Sequence, residues 1–272
     1  MSEFFEAAAA VAREAGALLL PFYHRRVRVE YKGEVDLVTE ADRASEALIV
    51  EKLQSHFPDH ALVAEEGSQR SGNSGYCWYV DPLDGTTNFA HSFPMFCVSL
   101  ALERDGEPVL GIIYDPLRDE LFSAEKGGGA RLNNKEIHVS GVGHLEEALV
   151  ATGFPSRNRH KNVNIHFYHQ ISMRSHGARR AGSAALDLAY VAAGRLDAFW
   201  EFSLHSWDVA AGRLLVQEAG GRLTDMKGQA HRLDSHSIAA SNLLLHGQLL
   251  EAFQEIYSGN YRVELPPIGQ HP

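Results

Sequence analysis

The stretch that decides the fold is Asp81-Pro82-Leu83-Asp84-Gly85-Thr86-Thr87-Asn88, which directly follows the apolar run Tyr76-Cys77-Trp78-Tyr79-Val80. Aromatic and β-branched side chains dominate the apolar run, so it predicts a buried β-strand. Pro82 predicts the end of that strand, because proline has no amide proton to donate to a sheet and fixes its own φ angle. The two carboxylates of the stretch are therefore expected on a turn at a strand end.

This turn combines groups that suit a cation with groups that suit an anion. Asp84 follows Asp81 closely enough for both carboxylates to point at one spot, and the carbonyl of Leu83 lies between them. Such oxygen ligands are the ones that a hard divalent cation takes. Gly85 and Thr86 add a close backbone and exposed N–H groups at the start of a short helix or turn, which suit a phosphate. The combination predicts metal-assisted phosphoryl chemistry.

The longer string is more specific than its parts, because Asp-Pro and Asp-Gly alone are ordinary turn dipeptides. The whole string, with its preceding apolar run, resembles the D-P-[IL]-D-G-T-T-N signature of the inositol monophosphatase family of Mg²⁺-dependent phosphatases. The resemblance extends from about Lys32 to Asn242. It implies a layered α-β-α-β-α sandwich built from α+β and α/β parts, and a single domain over residues 1–272.

The bulk composition indicates a soluble globular protein with a large core. The chain has 272 residues, of which 44% are apolar and 22% are charged. A net charge of −10 provides no basic footprint for nucleic acid. Cys77 and Cys97 lie in apolar runs, which favours buried free thiols over a disulfide or a zinc site. Charged residues interrupt the apolar segment 4–22, which excludes a secretory signal and a membrane span, so we expect a cytoplasmic protein.

Residues 1–143 are predicted to form an α+β half with an antiparallel sheet between helices. Apolar residues at helical spacing predict a first helix over about residues 3–22, ending near Pro21. Three apolar segments between residues 96 and 124, separated by turn residues, predict antiparallel hairpins. Residues 68–75 are rich in glycine and polar residues, so we expect an exposed mobile loop there that covers or borders the site.

Two acids of this half follow predicted secondary-structure boundaries. Thr39 is expected to cap a second helix that runs to about Phe57, and Asp42 then falls in its first turn, beside the positive end of the helix dipole. That position is also ordinary helix-start chemistry. The apolar run 61–64 predicts a strand that delivers Glu65 to a loop.

Residues 144–272 are predicted to form an α/β half with the substrate pocket. Gly182 and Ser183 precede an apolar helix, and the free N–H groups at its start suit an anion. An apolar segment that ends at Glu201 predicts a buried strand, and Asp208 precedes a helix of small residues, where an acid can also be a cap. Further strands are expected over 148–152 and 238–242, helices ending near residues 172 and 257, and a frayed tail over 266–272.

The resemblance implies roles for individual acids. The residue that Glu65 matches is a metal ligand that also activates water, and Thr86 helps to position that water. Asp42 matches an aspartate near a third, weaker metal. Residues 207–221 resemble a second family signature, W-D-x-A-A-G…E-A-G-G. The ligand set implied for two Mg²⁺ ions is Glu65, Asp81, Asp84, Asp208 and the Leu83 carbonyl.

The resemblance also implies substrate contacts. Residues 179–185 resemble R-x-x-G-[ST]-A-A, whose helix start lines the substrate pocket, and Glu201 matches an acceptor of hydrogen bonds from substrate hydroxyls. The alternative for Glu201 is a salt bridge at the rim with Arg179 or Arg180. The spacing of Lys32 from the motif leaves open whether it reaches the site. The implied substrate-binding residues are Asp84, Gly85, Thr86, Gly182, Ser183, Ala184, Glu201 and Asp208.

The function implied is hydrolysis of inositol 1-phosphate, or of a similar small polyol or sugar phosphate, by a metal-activated water. Fructose-1,6-bisphosphatase, histidinol phosphatase and NADP phosphatase activities stay open, because those enzymes share the metal motifs. A metal-binding regulatory partner protein with little turnover is an alternative of another class. The resemblance further implies two or three Mg²⁺ ions per site, inhibition by Li⁺, and a homodimer.

Overall fold

The computed structural model describes residues 2–25, 29–31, 37–154 and 161–265. Lys32 and the tail over residues 266–272 lie outside the described residues, so the expectations about them stay predictions. Within the described ranges, no helix combines the length and the apolar character needed to cross a membrane.

Helix α1 (Glu3–Arg25) buries one apolar stripe and continues past Pro21 for a further turn. The prediction that it ends near Pro21 is wrong. Proline removes one backbone hydrogen bond, but tertiary contacts can hold the turn that follows. Here the hydroxyl of Tyr23 donates to the carbonyl of Ser92 at 2.8 Å, and the two ring centroids of Tyr23 and Phe96 lie 5.0 Å apart.

Helix α2 (Glu40–His56) begins and ends where the sequence predicts. Thr39 is its N-cap and Phe57 its C-cap. The side chain of Thr39 accepts from the first-turn amides, and the carboxylate of Asp42 accepts from the backbone N–H of Thr39 at 2.8 Å. This reciprocal arrangement satisfies donors that the start of a helix otherwise leaves open.

The larger sheet has eight strands in the order β10-β9-β8-β7-β6-β5-β3-β4. All neighbouring pairs are antiparallel except β3 and β5, and the predicted hairpins are confirmed as β6 to β8. A separate pair of short strands, β1 (Val29–Tyr31) and β2 (Leu37–Thr39), precedes α2. The eight strands are β3 (Ala61–Ala64), β4 (Gln69–Arg70), β5 (Tyr76–Asp84), β6 (Cys97–Arg104), β7 (Glu107–Asp115), β8 (Glu120–Glu125), β9 (Ala130–Leu132) and β10 (Lys135–Ile137).

Strand β5 does not stop at Pro82, and the prediction of its end there is wrong. Asp81 pairs with Ser99, and Asp84 pairs with Cys97, with a shift of register between the two pairs. The β5 side therefore contains one residue more than its partner strand, which is a β-bulge. Proline is tolerated at a bulge because no ladder hydrogen bond is needed there. The bulge, rather than a strand end, redirects the two carboxylates.

Residues 68–75 are not wholly a loop. Gln69–Arg70 forms β4, an edge strand antiparallel to β3, and the amide of Ser68 donates to Glu46 on α2 at 3.0 Å. None of these residues lines the cavity described below. The expectation that this segment covers or borders the site is therefore wrong, because pairing with β3 holds its first part against the sheet.

The smaller sheet has five strands in the order β12-β11-β13-β15-β14. The expected division at residues 143 and 144 falls in the chain between this sheet and the last strand of the larger one. Strand β11 is parallel to β12 and β13, and the remaining pairs are antiparallel. The strands are β11 (Leu149–Thr152), β12 (Gly177–Arg179), β13 (Ala198–Phe202), β14 (Arg222–Thr224) and β15 (Ser237–Ser241).

Helices and sheets alternate in layers. One apolar cluster joins α1 and α2 to one face of the larger sheet, a second joins the other face through α5 and α6 to the smaller sheet, and a third covers the smaller sheet with α4 and α7. The structure is thus the expected α-β-α-β-α sandwich. The remaining helices are α3 (Thr86–Ala90), α4 (Asn164–Ser172), α5 (Ala184–Ala192), α6 (Ser206–Glu218) and α7 (His246–Tyr257).

Candidate active site

A cavity of about 880 Å³ lies where the end of β5 faces the starts of α5 and α6. Residues from both halves of the chain line this cavity. Of the predicted site residues, three are buried behind the wall and do not line the cavity: Asp42, Asp81 and Leu83. The predicted residues that line it are Glu65, Asp84, Gly85, Thr86, Gly182, Ser183, Ala184, Glu201 and Asp208.

Asp84 connects the larger sheet to the start of α5. Its Oδ2 accepts hydrogen bonds from the hydroxyl of Ser183 at 2.6 Å and from the amide of Ala185 at 2.8 Å. Ser183 is also the N-cap of α5, and its Oγ accepts from the amide of Leu186. Burial raises the pKa of Asp84 above its usual value, and the hydrogen bonds from Ser183 and Ala185 offset part of that rise.

Asp81 is the most enclosed acid of the motif. It is 1% exposed, and its Oδ1 accepts the backbone N–H of Leu83 at 3.0 Å. Burial raises its pKa well above the usual value, and the charges of Glu65, Asp84 and Asp208 raise it further. When all of these acids are ionised, their carboxylates repel one another strongly.

Thr86 links Asp42 to the motif. Its Oγ1 lies 3.0 Å from Asp42 Oδ1 and 3.1 Å from the Leu83 carbonyl, and its single proton can serve one of these acceptors at a time. The other oxygen of Asp42 accepts from the amide and the hydroxyl of Thr39. Asp42 therefore stabilises the start of α2 and also accepts a hydrogen bond from Thr86, which lines the cavity. Burial raises the pKa of Asp42 above its usual value.

Asp208 lies within the first turn of α6 rather than before the helix. Its Oδ2 accepts the backbone N–H of His205 at 2.7 Å, so it has the capping role considered for it. Burial and the charge of Asp84 raise its pKa to about 7. Beside it, the ring of Trp207 stacks on that of His205 with centroids 4.8 Å apart, and both rings line the cavity.

Glu201 reaches the cavity from β13. It is 7% exposed, and within the described residues no ion pair joins it to Arg179 or Arg180, so the predicted alternative of a rim salt bridge does not form. Burial raises the pKa of Glu201 well above its usual value, and the negative charges of Asp187 and Asp208 raise it further. The positive charge of Arg180 lowers this pKa. Glu201 is a buried acid that faces a cavity.

Asn88, the last residue of the motif, joins the two halves of the site. Its Nδ2 donates to the carbonyls of Met95 at 2.7 Å, Ala181 at 2.8 Å and Gly182 at 3.2 Å. Gly182 has a φ of 83°, a conformation that favours glycine. The amide side chain thus fixes the turn that leads into α5.

Sequence reasoning missed several lining residues. Asp187 had a signal, since it is the only charged residue in α5. Gly153 had none, because its importance comes from a distant contact: a Cβ there would lie 2.0 Å from Glu201 Oε2. Trp207 also lines the cavity and had a signal, as the first residue of the second family signature, whereas nothing in the local sequence of Lys161 separates it from surface residues.

The chemistry of the cavity is dominated by carboxylate oxygen. Five acids line it, with Lys161 and Arg180 as the lysine and arginine among the lining residues. As they stand, no three His, Cys, Asp or Glu side chains in the described part of the chain are grouped closely enough to hold a metal ion. Oxygen donors with mutual repulsion suit a hard divalent cation. The lining acids are Glu65, Asp84, Asp187, Glu201 and Asp208.

Several known proteins are similar in sequence to this chain over most of its length. Residues 1–258 match the Inositol monophosphatase family. A Pseudomonas aeruginosa protein named Nus factor SuhB is 44% identical over 262 residues, covering 93% of this chain and 97% of that protein. An inositol-1-monophosphatase of Rhizobium meliloti is 43% identical over 253 residues, covering 92% of each.

Solved structures agree with this assignment. The extragenic suppressor protein suhB of Bartonella henselae superposes with a TM-score of 0.90 at 41% identity, covering 93% of this chain and 99% of its own. The inositol monophosphatase of Anabaena superposes with a TM-score of 0.84 at 39% identity, covering 97% of each chain. From its motifs, its layered fold and these relatives, the chain belongs to the inositol monophosphatase family and is a phosphatase.

Proposed function

We propose that the chain is a Mg²⁺-dependent phosphomonoesterase that hydrolyses inositol 1-phosphate or a similar small polyol or sugar phosphate. The observation that carries the proposal is the approach of acids from both halves to one cavity: Glu65 and Asp84 from the larger sheet, and Asp208 and Glu201 from the smaller-sheet side. Such a cavity repels a phosphate unless a cation compensates its charge.

The chemistry of the donors suits Mg²⁺, because they are carboxylate and carbonyl oxygens. Glu65, Asp81, Asp84, Asp208 and the Leu83 carbonyl would hold two ions, and Asp42 would assist a third. The raised pKa values of Asp81 and Asp208 reflect burial and neighbouring negative charge that a cation would relieve. When bound, Mg²⁺ supplies charge neutralisation for the phosphate and acidifies water.

Side chains of the cavity would activate and position the attacking water. Glu65 would accept the proton of the attacking water. Thr86 would orient that water through an oxygen lone pair, since its own proton is given to Asp42 or to the Leu83 carbonyl. The oxygen of that water would bond to phosphorus as the P–O bond to the alcohol breaks, without a covalent phosphoenzyme, and the leaving oxygen would take a proton from a solvent water to become the free alcohol.

Substrate binding divides between the two ends of the cavity. The amides of Gly85, Thr86, Gly182 and Ser183 would face the phosphate, and Ala184 would line the pocket beside them. The cations Lys161 and Arg180 would attract the phosphate into the cavity. Glu201, a pure acceptor when ionised, would bind hydroxyls of the leaving alcohol. Because both halves contribute, we treat residues 1–143 and 144–272 as parts of one functional domain.

The decisive experiment is a phosphate-release panel with purified protein, with Mg²⁺ or with EDTA. The substrates are inositol 1-phosphate, fructose 1,6-bisphosphate, histidinol phosphate, NADP and p-nitrophenyl phosphate. We expect Mg²⁺-dependent release that is fastest with inositol 1-phosphate. Release unaffected by EDTA contradicts metal dependence, and a faster competitor reassigns the substrate.

A regulatory role is a second candidate. It is favoured by the name Nus factor SuhB of the Pseudomonas aeruginosa relative. A folded protein that hydrolyses every ester of the panel only at background rate would support that candidate over the first.

We also propose a homodimer in the cytoplasm, as the family resemblance implies. Light scattering of the purified protein tests the homodimer, and a monomer would contradict it. Cell fractionation tests the cytoplasmic location.

A further inference from the structure

Asp187 is a buried acid whose hydrogen bonding is incomplete. It is 1% exposed, lines the cavity, and its Oδ1 has no hydrogen-bond partner among the described residues. A buried polar atom without a partner is costly, and native proteins keep few of them. An unpartnered oxygen at a cavity wall is therefore expected to receive a donor from whatever fills the cavity.

A purely structural role does not account for Asp187. An acid in the first turn of a helix can stabilise the helix by bonding open amides or by facing the dipole. In α5 those amides have other partners, because Ser183 Oγ accepts from Leu186 and Asp84 accepts from Ala185. The cap is complete without Asp187.

Glu201 is an acid that lines the same cavity as Asp187. On β13, Trp200 and Phe202 pack toward α4 and α7, whereas Phe199 packs toward α5 and α6. Side chains alternate along a strand, so Glu201 shares the face of Phe199 and points to the α5 side. The charge of Asp187 raises the pKa of Glu201, and burial raises the pKa of both acids.

We propose that Asp187 is a second hydroxyl-binding residue of the cavity, which together with Glu201 receives two neighbouring hydroxyls of a polyol leaving group. The inference deepens the proposed function and rests on it. A carboxylate accepts hydrogen bonds, and a protonated carboxyl also donates one. Two acids on neighbouring walls of one cavity therefore provide oxygen acceptors for two adjacent hydroxyls of one ligand, which matches a vicinal diol.

The first test is Asp187→Asn, which keeps the shape of the side chain. We expect kcat/KM for inositol 1-phosphate to fall about 10-fold or more beyond any fall for p-nitrophenyl phosphate, because a site built to bond hydroxyls discriminates against a substrate without them. Asp197→Asn is the matched control, since Asp197 is also buried but lies outside the cavity. Its effect on the two esters should be equal.

The second test uses the unchanged protein, so it does not depend on how a variant folds. Monodeoxy analogues of inositol 1-phosphate are compared one hydroxyl at a time. We expect two adjacent positions at which removal lowers kcat/KM about 10-fold or more. Asp187→Asn should be insensitive to one of these removals, and Glu201→Gln to the other.

The two tests distinguish failure of the proposed role of Asp187 from failure of the proposed Mg²⁺-dependent phosphatase function. Equal losses on both esters in Asp187→Asn overturn the role of Asp187 alone. An unchanged protein that tolerates every deoxy analogue while hydrolysing p-nitrophenyl phosphate overturns hydroxyl binding by both Asp187 and Glu201, but leaves the Mg²⁺-dependent phosphatase activity standing. Absence of Mg²⁺-dependent release from any ester by the unchanged protein overturns the proposed function, and the inference with it.

Discussion

The hydroxyl of Ser183 donates a 2.6 Å hydrogen bond to Asp84 Oδ2. This bond joins the bulged strand of the larger sheet to the first turn of α5, across 99 positions of sequence. The residue that caps the helix thus also orients a proposed metal ligand. The start of α5 and the Asp84 carboxylate are therefore expected to respond together to substitution.

Ser183→Ala removes both the cap and the donor to Asp84. We expect the free energy of unfolding to fall by about 1 to 2 kcal/mol. We also expect kcat to fall about 10- to 100-fold, because a misplaced ligand disturbs the reacting geometry. Chemical denaturation and phosphate-release kinetics measure the two effects. Ser183→Thr keeps the hydroxyl and should restore both; a variant that loses stability but keeps its rate would show that the bond does not position Asp84.

Asp84→Asn removes one charge from the proposed metal site while keeping an oxygen that can accept from Ser183. We expect the fold to survive and turnover of inositol 1-phosphate to fall by at least about 100-fold at saturating Mg²⁺. Circular dichroism and initial rates check these outcomes. The exposed acid Asp119, which pairs with Arg13, provides the control Asp119→Asn. A rate near that of the unchanged protein would refute the assignment of Asp84 as a ligand.

The stability of the metal-free protein should depend on pH through Asp208. The folded pKa of about 7 is above the ordinary value of 3.8, so the folded chain binds this proton more tightly than the unfolded chain. The stabilisation is full below about pH 4 and is lost as pH rises through about 7. We expect the Tm in EDTA to fall across this window.

Mg²⁺ should reverse that loss, because it binds the ionised acids of the folded state. The increase in Tm caused by Mg²⁺ should be larger at pH 8 than at pH 5. In Asp208→Asn, the fall of Tm with pH in EDTA should be smaller. Equal Mg²⁺ effects at both pH values would contradict the placement of the ions among these acids.

Gly153→Ala should disturb Glu201, since the new Cβ would lie 2.0 Å from Glu201 Oε2. We expect kcat/KM to fall about 10-fold more for inositol 1-phosphate than for p-nitrophenyl phosphate. Glu201→Gln should give the same imbalance. A Cβ at Gly141 would meet nothing within 4 Å, so Gly141→Ala is the matched control. Losses of equal size on both esters would remove Glu201 from the recognition of hydroxyls.

Li⁺ should inhibit turnover. A small monovalent ion fits an oxygen cage but neutralises less charge than Mg²⁺ does. Initial rates at several Li⁺ and substrate concentrations should show uncompetitive or noncompetitive inhibition, and the same concentrations of K⁺ serve as the control. Complete insensitivity to Li⁺ would contradict this expectation.

Local sequence determined the secondary structure on which the site depends. The Thr39 cap of α2, the apolar run of β5 and the start of α5 after Ser183 each arise from neighbouring residues, so composition and spacing were enough to predict them. The family signatures then directed attention to Asp84 and Asp208, which both line the cavity.

Only the tertiary structure decided how these elements meet. The bulge at Pro82 depends on the register with β6, and the last turn of α1 depends on the contact of Tyr23 with Ser92. Asp187 and Glu201 face one cavity because the middle helix layer packs on the inner face of β13. Contacts between distant positions follow from the packing of whole layers, which no local pattern encodes.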